Sequence, residues 1–379
     1  MIEVFTPVIG EQEIEAVVAA LRRGEISGTF GEALPQFEQE FAEYSGCKYG
    51  TAVSSGSTAL HLAVSAAGIG PGDEVLISAS TNIATALAVI HNGAIPVPVD
   101  SEEVTWNLDL DLIEPLITPR TKAIIPVHLY GHPVDMDRLM EIARRFKLIV
   151  IEDCAESHGA TCRGRMTGSF GDMGCFSFYA NKVITTGEGG MVTTNDQSLA
   201  ERLRLLRNLA FTKPRFWHEE AGYNFRMTGY QAAMGLVQTR KIEQIISEKR
   251  RVAHTYNALL SGIEGLQLPA EAEWARNVYW MYAAVLHPEA GMSRDDLMQW
   301  LRKDGIDTRT FFCPMNQQPC LRSREGFREV ACPVADRLWE AGLYLPSTHT
   351  LSQDELTMIA GSIGRALADR RRVNAVVGT

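Results

Sequence analysis

The sequence has little that would suit a metal knuckle, a secreted scaffold, a membrane span or a nucleic-acid clamp. Cysteine is sparse: Cys47, Cys154, Cys162, Cys175, Cys313, Cys320 and Cys332 are seven among 379 residues. The number is odd and no two stand as C-x-x-C, which argues against a zinc site, a redox motif or a disulfide framework, and no metal is expected. Most are expected to be small buried hydrophobes in a reducing compartment. No apolar run approaches the roughly 20 residues that a spanning helix needs, so no membrane partner is expected. The opening stretch MIEVFTPVIGEQEIEAVVAAL meets acidic residues before any long apolar run, so it does not read as a signal peptide, and a cytoplasmic location is expected. Basic excess is missing too. A net charge of -10 argues against nucleic acid, whose backbone calls for a basic stripe, while leaving room for a local basic pocket that takes a phosphorylated small molecule.

What remains is ordinary for a folded enzyme: 45% hydrophobic, 22% charged and 8% aromatic residues, in a chain long enough for a large unit and a smaller one. Short apolar runs alternate with helical patterns: TAVSS (51–55), EVLISA (74–79), AIPVPVD (94–100), AIIPVH (123–128), LIVIED (148–153), GCFSFYA (174–180) and GGMVTT (189–194). Runs with little polar alternation suit strands covered on both faces, and helices between them predict an α/β fold with a mostly parallel sheet. Near residue 245 the texture changes. A long helical stretch leads into VYWMYAAVL (278–286), the capped helix SRDDLMQWLRKDG and a last helix from near Ser352, which predicts a large domain over 1–245 and a smaller α+β domain over 246–379.

In a parallel sheet ligands sit outside the carboxyl ends of the strands, and that rule selects among the polar residues. Asp153 ends the apolar run LIVI. It is either a cap for the next turn or a partner for a heterocyclic cation, because a buried carboxylate needs a pair. Lys182 lies between an aromatic strand and the return TTGEGG. Most lysines are solvated surface groups, but one held in a desolvated pocket loses basicity and becomes an amine nucleophile. Ser55-Gly56-Ser57-Thr58 opens a helix after a strand, which is a phosphate cradle or only a cap. Ser177 could add a hydroxyl to that cradle. Tyr223–Thr228 is a polar helix entry that, in a dimer, could reach a neighbouring site.

The segments SSGSTALHLA, VHLYGHPVDMD, IEDCAESHGA, GSFGDMGCFSFYANKVITTGEGGMVTT, LRNLA and GYNFRMTGYQAAMG, in this order, resemble the DegT/DnrJ/EryC1/StrS family of sugar aminotransferases. The resemblance implies the fold-type I (aspartate aminotransferase-like) architecture, with a mostly parallel seven-stranded sheet. It implies pyridoxal 5'-phosphate (PLP) as cofactor, glutamate as amino donor, a keto-sugar acceptor and a homodimer with shared active sites. By the same resemblance Lys182 is the Schiff-base lysine and proton carrier, and Asp153 pairs with the pyridinium nitrogen. Glu156 lies near the ring hydroxyl, and Gly56, Ser57, Thr58 and Ser177 hold the phosphate, which Asn224 reaches from the second subunit. Asn82 stands where many relatives place a ring that stacks on the cofactor, so an amide replaces π-stacking there. Arg226 and Arg309 are candidates for the substrate's diphosphate or carboxylate, since guanidinium forks fit both, and surface pairing is the alternative for each. NKVITTGEGG, WHEEAGYNFRMT and DTRTFFCPMNQQP look most similar to the branch that aminates C4 of nucleotide-linked 4-keto-6-deoxyhexoses; an aminotransferase of an 8-carbon keto-sugar acid is the alternative. A dehydratase of this family would carry His in place of Lys182, and an inert regulator would be expected to have lost Lys182 or Asp153.

Overall fold

The computed structural model describes residues 1–377. Seven strands form the main sheet: β1 (Tyr49–Val53), β2 (Glu74–Ser78), β3 (Ile95–Val99), β4 (Thr121–Ile125), β5 (Ile149–Asp153), β6 (Met173–Ser177) and β7 (Gly190–Thr194). Their order across the sheet is β1-β7-β6-β5-β4-β2-β3. Only β7 runs against the rest: it pairs antiparallel with β1 and β6, and the other neighbours are parallel. The sequence expectation of a mostly parallel α/β sheet holds, and its cause is visible in single strands. Val75 and Ile77 enter one apolar cluster with Ala59, Leu62 and Val89, whereas Leu76 between them enters another with Leu139 and Ala143. Side chains alternate across the pleat, so a strand apolar at every position must be covered by helices on both sides.

A smaller antiparallel sheet follows, built from Leu266–Gln267, Tyr282–Leu286, Gly342–Leu345 and Arg309–Thr310. The helix Gly229–Leu260 joins the two sheets and crosses residue 245 unbroken. Its Ile242, Ile245 and Ile246 pack in a cluster that joins Phe176 and Met191 of the main sheet to Ala283 and Val285 of the smaller one, and Val252, Ala253, Tyr256 and Leu260 pack with Tyr282 and Leu343 of the smaller sheet. The first residues also run beside the smaller sheet: Ile2 N–H donates to Gly305 O at 2.7 Å, and Val4 O accepts from Ser347 N–H at 2.9 Å. Among the described residues no helix is long and apolar enough to cross a membrane. All seven cysteines are free, and five are buried.

Glu152 shows how the scaffold beneath the strand ends is held. It is fully buried, yet its carboxylate accepts backbone N–H groups of Gly168 (2.9 Å), Phe170 (2.8 Å) and Gly171 (2.8 Å), and lies 3.2 Å from His128 Nε2. His128 Nδ1 accepts from Val134 N–H at 3.0 Å, so the ring proton sits on Nε2 and points at Glu152. His128, Glu152 and Cys154 cluster closely enough to suggest a metal, but this tautomer leaves the imidazole no free lone pair toward the carboxylate. Glu152→Ala is expected to destabilise the fold by about 3–5 kcal/mol, because four donors lose their acceptor at once. Denaturant unfolding followed by circular dichroism measures this, and a loss below about 1 kcal/mol would contradict the bonding described.

Candidate active site

At the carboxyl edge of the main sheet, the last residues of β5 and β6 and the loop after β1 open on one cleft of about 310 Å³. A second wall comes from the smaller sheet, through Trp280, Phe312 and Tyr344. The cleft gathers Gly56, Ser57, Asn82, Asp153, Glu156, Ser177 and Lys182 from separate stretches of sequence.

Asp153 is the final residue of β5. Its Oδ2 accepts from the Thr85 hydroxyl at 2.8 Å and its Oδ1 from Ala155 N–H at 3.2 Å. Burial pushes this carboxyl up, opposed by the Thr85 bond and the Lys182 charge. Glu156, in the next turn, is pushed up to about 7 by burial, against the pull of Lys182 and of Tyr130 N–H, which donates to its Oε2 at 2.8 Å. Burial in turn lowers the basicity of Lys182, while Glu156 and Asp153 support its charge. One amine and two carboxyls thus share a desolvated space in which all three are held away from their ordinary ionisation, a pattern that marks reactive sites.

Another part of the cleft wall is built by backbone. Ser55 caps the helix Gly56–Ala66, its hydroxyl accepting from Thr58 N–H at 3.1 Å. The amides of Gly56 and Ser57 then lie in the first turn, where N–H groups have no carbonyl within the helix. Chain packing is very tight here. A Cβ on Gly56 would lie 2.5 Å from Ser177 Cβ, and one on Gly190 would lie 2.3 Å from Ser55 O, so helix, β6 and β7 can meet only through glycine. Gly56→Ala is expected to weaken binding of a phosphate-bearing ligand about tenfold to a hundredfold by displacing the Ser177 hydroxyl. Equilibrium titration with PLP measures it, and unchanged affinity would remove this cradle from the site.

The other sequence candidates lie elsewhere or are otherwise engaged. Thr58 turns back to its own cap, donating its hydroxyl to Ser55 O at 2.8 Å and accepting from Ser55 N–H at 2.9 Å. Asn82 lines the cleft with its side chain engaged: Oδ1 accepts from Ala84 N–H at 3.0 Å. Asn224 is exposed and pairs with Asn208, and Arg226 donates to Asn208 Oδ1 at 2.6 Å; neither lines this chain's cleft. Arg309 is ion-paired with Asp307 at 2.6 Å on a separate surface groove, one strand away from Tyr344. Sequence reading passed over Thr85, Tyr130 and Trp280. Thr85 carried a weak signal as the buried polar residue of an apolar helix, whereas Trp280 looked like any aromatic in a strand.

The donor set fits PLP: an amine for its aldehyde, a carboxylate for its ring nitrogen, and a helix start with a hydroxyl for its phosphate. Asn181 Oδ1 is also buried at the cleft without a protein donor.

The DegT/DnrJ/EryC1/StrS aminotransferase family model matches residues 7–364 of this chain. GDP-perosamine synthase of Caulobacter vibrioides is 41% identical over 371 residues, covering 97% of this chain and 98% of that protein. The enzyme of the same name from Escherichia coli O157:H7 is 39% identical, covering 97% and 99%. Among solved structures, DesV of S. venezuelae superposes with a TM-score of 0.88 at 37% identity, covering 94% of each chain.

Proposed function

The chain belongs to the DegT/DnrJ/EryC1/StrS aminotransferase family, and from that premise we propose that it moves an amino group from glutamate to a nucleotide-linked 4-keto-6-deoxyhexose, as a GDP-perosamine synthase-like enzyme. It is a PLP-dependent sugar aminotransferase. Residues 1–245 would form its cofactor-binding part and 246–379 the smaller part. The observation that carries the reading is the meeting of Lys182, Asp153 and Glu156 in a cleft that a helix start also lines.

Bound PLP supplies an electron sink for the charge left when a proton departs from the carbon bearing the amino group. The residues of this chain have separate tasks around it. Asp153 would hold the ring nitrogen in its cationic form, with Thr85 fixing the carboxylate. Glu156 would face the ring hydroxyl, and Asn82 would cover the ring. Gly56, Ser57 and Ser177 would hold the phosphate, with Thr58 keeping the helix start in shape. Lys182 Nζ would take the proton and return it; burial lowers its basicity, which eases release of the proton. Trp280, Phe312 and Tyr344 would keep water from the reacting carbon.

Shared sites in a homodimer are supported by the exposure of Asn224 on its own chain, and by Phe216 and Trp217, which are 72% and 58% exposed beside it in sequence. Arg226 and Arg309 stay candidates for the substrate's anionic end. A cytoplasmic enzyme supplying amino-sugars for lipopolysaccharide O-antigen fits this reading.

Purified enzyme with glutamate and a panel of keto-sugars tests it. Formation of 2-oxoglutarate with GDP-4-keto-6-deoxymannose is expected. Amination of an 8-carbon keto-sugar acid in its place would overturn the substrate assignment. Loss of water from the sugar without amino transfer would overturn the reaction.

A further inference from the structure

Lys182 rests on an aromatic face supplied from outside its own sheet. Its Nζ lies 3.9 Å from the ring centroid of Trp280, a residue only 2% exposed that leads into the strand Tyr282–Leu286. The same indole donates its Nε1–H to the carbonyl of Asn181, the residue before the lysine, at 2.6 Å. These contacts divide the work. The hydrogen bond sets the orientation of the ring, and that orientation turns its electron-rich face toward the amine. Tyr130 lies nearly parallel to the indole, with ring centroids 6.2 Å apart and planes 12° apart, so the ring has little freedom to turn away.

A π face attracts an ammonium but cannot accept its proton, which distinguishes it from the two carboxyls near the lysine. The charged and titratable groups around Lys182 are Asp153 at the end of β5, Glu156 and His158 in the loop that follows, Tyr179 and Glu188 on either side of the lysine in sequence, and Tyr344 from the smaller sheet. Asp153 and Glu156 favour the ammonium but would be engaged by a bound cofactor. Trp280 would not be.

We infer that Trp280 is a positioning residue for Lys182, its indole face holding the free lysine as an ammonium at the cleft wall and so setting how readily Nζ releases its proton. This rests on the reading of Lys182 as the cofactor lysine. Apart from any effect on stability, it makes the smaller sheet a determinant of the lysine's ionisation.

The test uses cofactor-free protein mixed with PLP over a range of pH, following the rate at which the visible band of protein-bound cofactor rises. Only the neutral amine attacks, so the midpoint of rate against pH reports the lysine. Trp280→Leu is expected to move the midpoint down by about 0.5–1.5 pH units, since the ammonium loses its π contact. Trp280→Phe keeps a ring face without the Asn181 bond, and its shift should be in the same direction and less than half as large. Both variants titrating with the wild-type midpoint, or titrating together, would overturn the proposal, even if melting temperature or PLP affinity fell. If Trp280→Leu does not fold, an unmoved midpoint in Trp280→Phe overturns it alone. A wild type with no visible band, or a band that survives in Lys182→Ala, would count against the cofactor-lysine reading.

Discussion

Lys182→Ala is expected to abolish the visible band of protein-bound PLP and to lower turnover at least about a thousandfold, because the covalent attachment point and the proton carrier are lost together. Low basicity alone does not single this lysine out. Lys249 is buried more deeply still, 2% exposed, and is pushed down to about 7 by desolvation. Its Nζ, however, donates to Ser347 O at 2.7 Å, and it lies outside the cleft. Lys249→Met should therefore keep the band, and it serves as the control for burial without position. The Lys182→Ala protein should remain folded, because the change removes a desolvated cation. Absorbance spectra of both variants with PLP, before and after glutamate, decide the matter. A band retained in Lys182→Ala would move the attachment elsewhere.

The second large effect is expected at Asp153. Asp153→Asn preserves size and can still accept the Thr85 hydroxyl, so only the negative charge is withdrawn. Turnover should fall about a hundredfold to a thousandfold, as it does when a preorganised electrostatic partner of developing charge is removed. The fold should hardly respond. Glu152 gives the contrast, since it touches scaffold amides and its loss should cost stability first. Steady-state kinetics beside denaturant unfolding separates the two acids. Equal stability losses at both positions, with turnover of Asp153→Asn near wild type, would reverse the assignment.

The adjacent pair also shows where sequence reading succeeds and where it stops. LIVIED marked a buried strand ending in acid, and strand alternation requires Glu152 and Asp153 to face opposite sides of the sheet. Which side carries the cleft was not written in those residues. It follows from the strand order, which sets β6 with Ser177 beside the end of β5, and Gly190 on β7 one strand further on. The cradle was legible in part: Gly56 and Ser57 belong to a helix start, while the hydroxyl of Thr58 was drawn into capping.

By itself the sequence determined the strand positions and the sheet class, because both depend on local pattern, apolar runs and glycine returns; it singled out Lys182 and Asp153 as candidates, and only the family resemblance gave them roles. Tertiary structure alone decided that Thr85 anchors Asp153, that Trp280 lies under Lys182, and that Arg226, Arg309 and Asn224 stay out of this chain's own cleft. The physical reason is range. Alternation and capping act over a few residues, whereas the contacts that tune the amine join residues 68 and 99 positions apart and exist only once the sheets have packed.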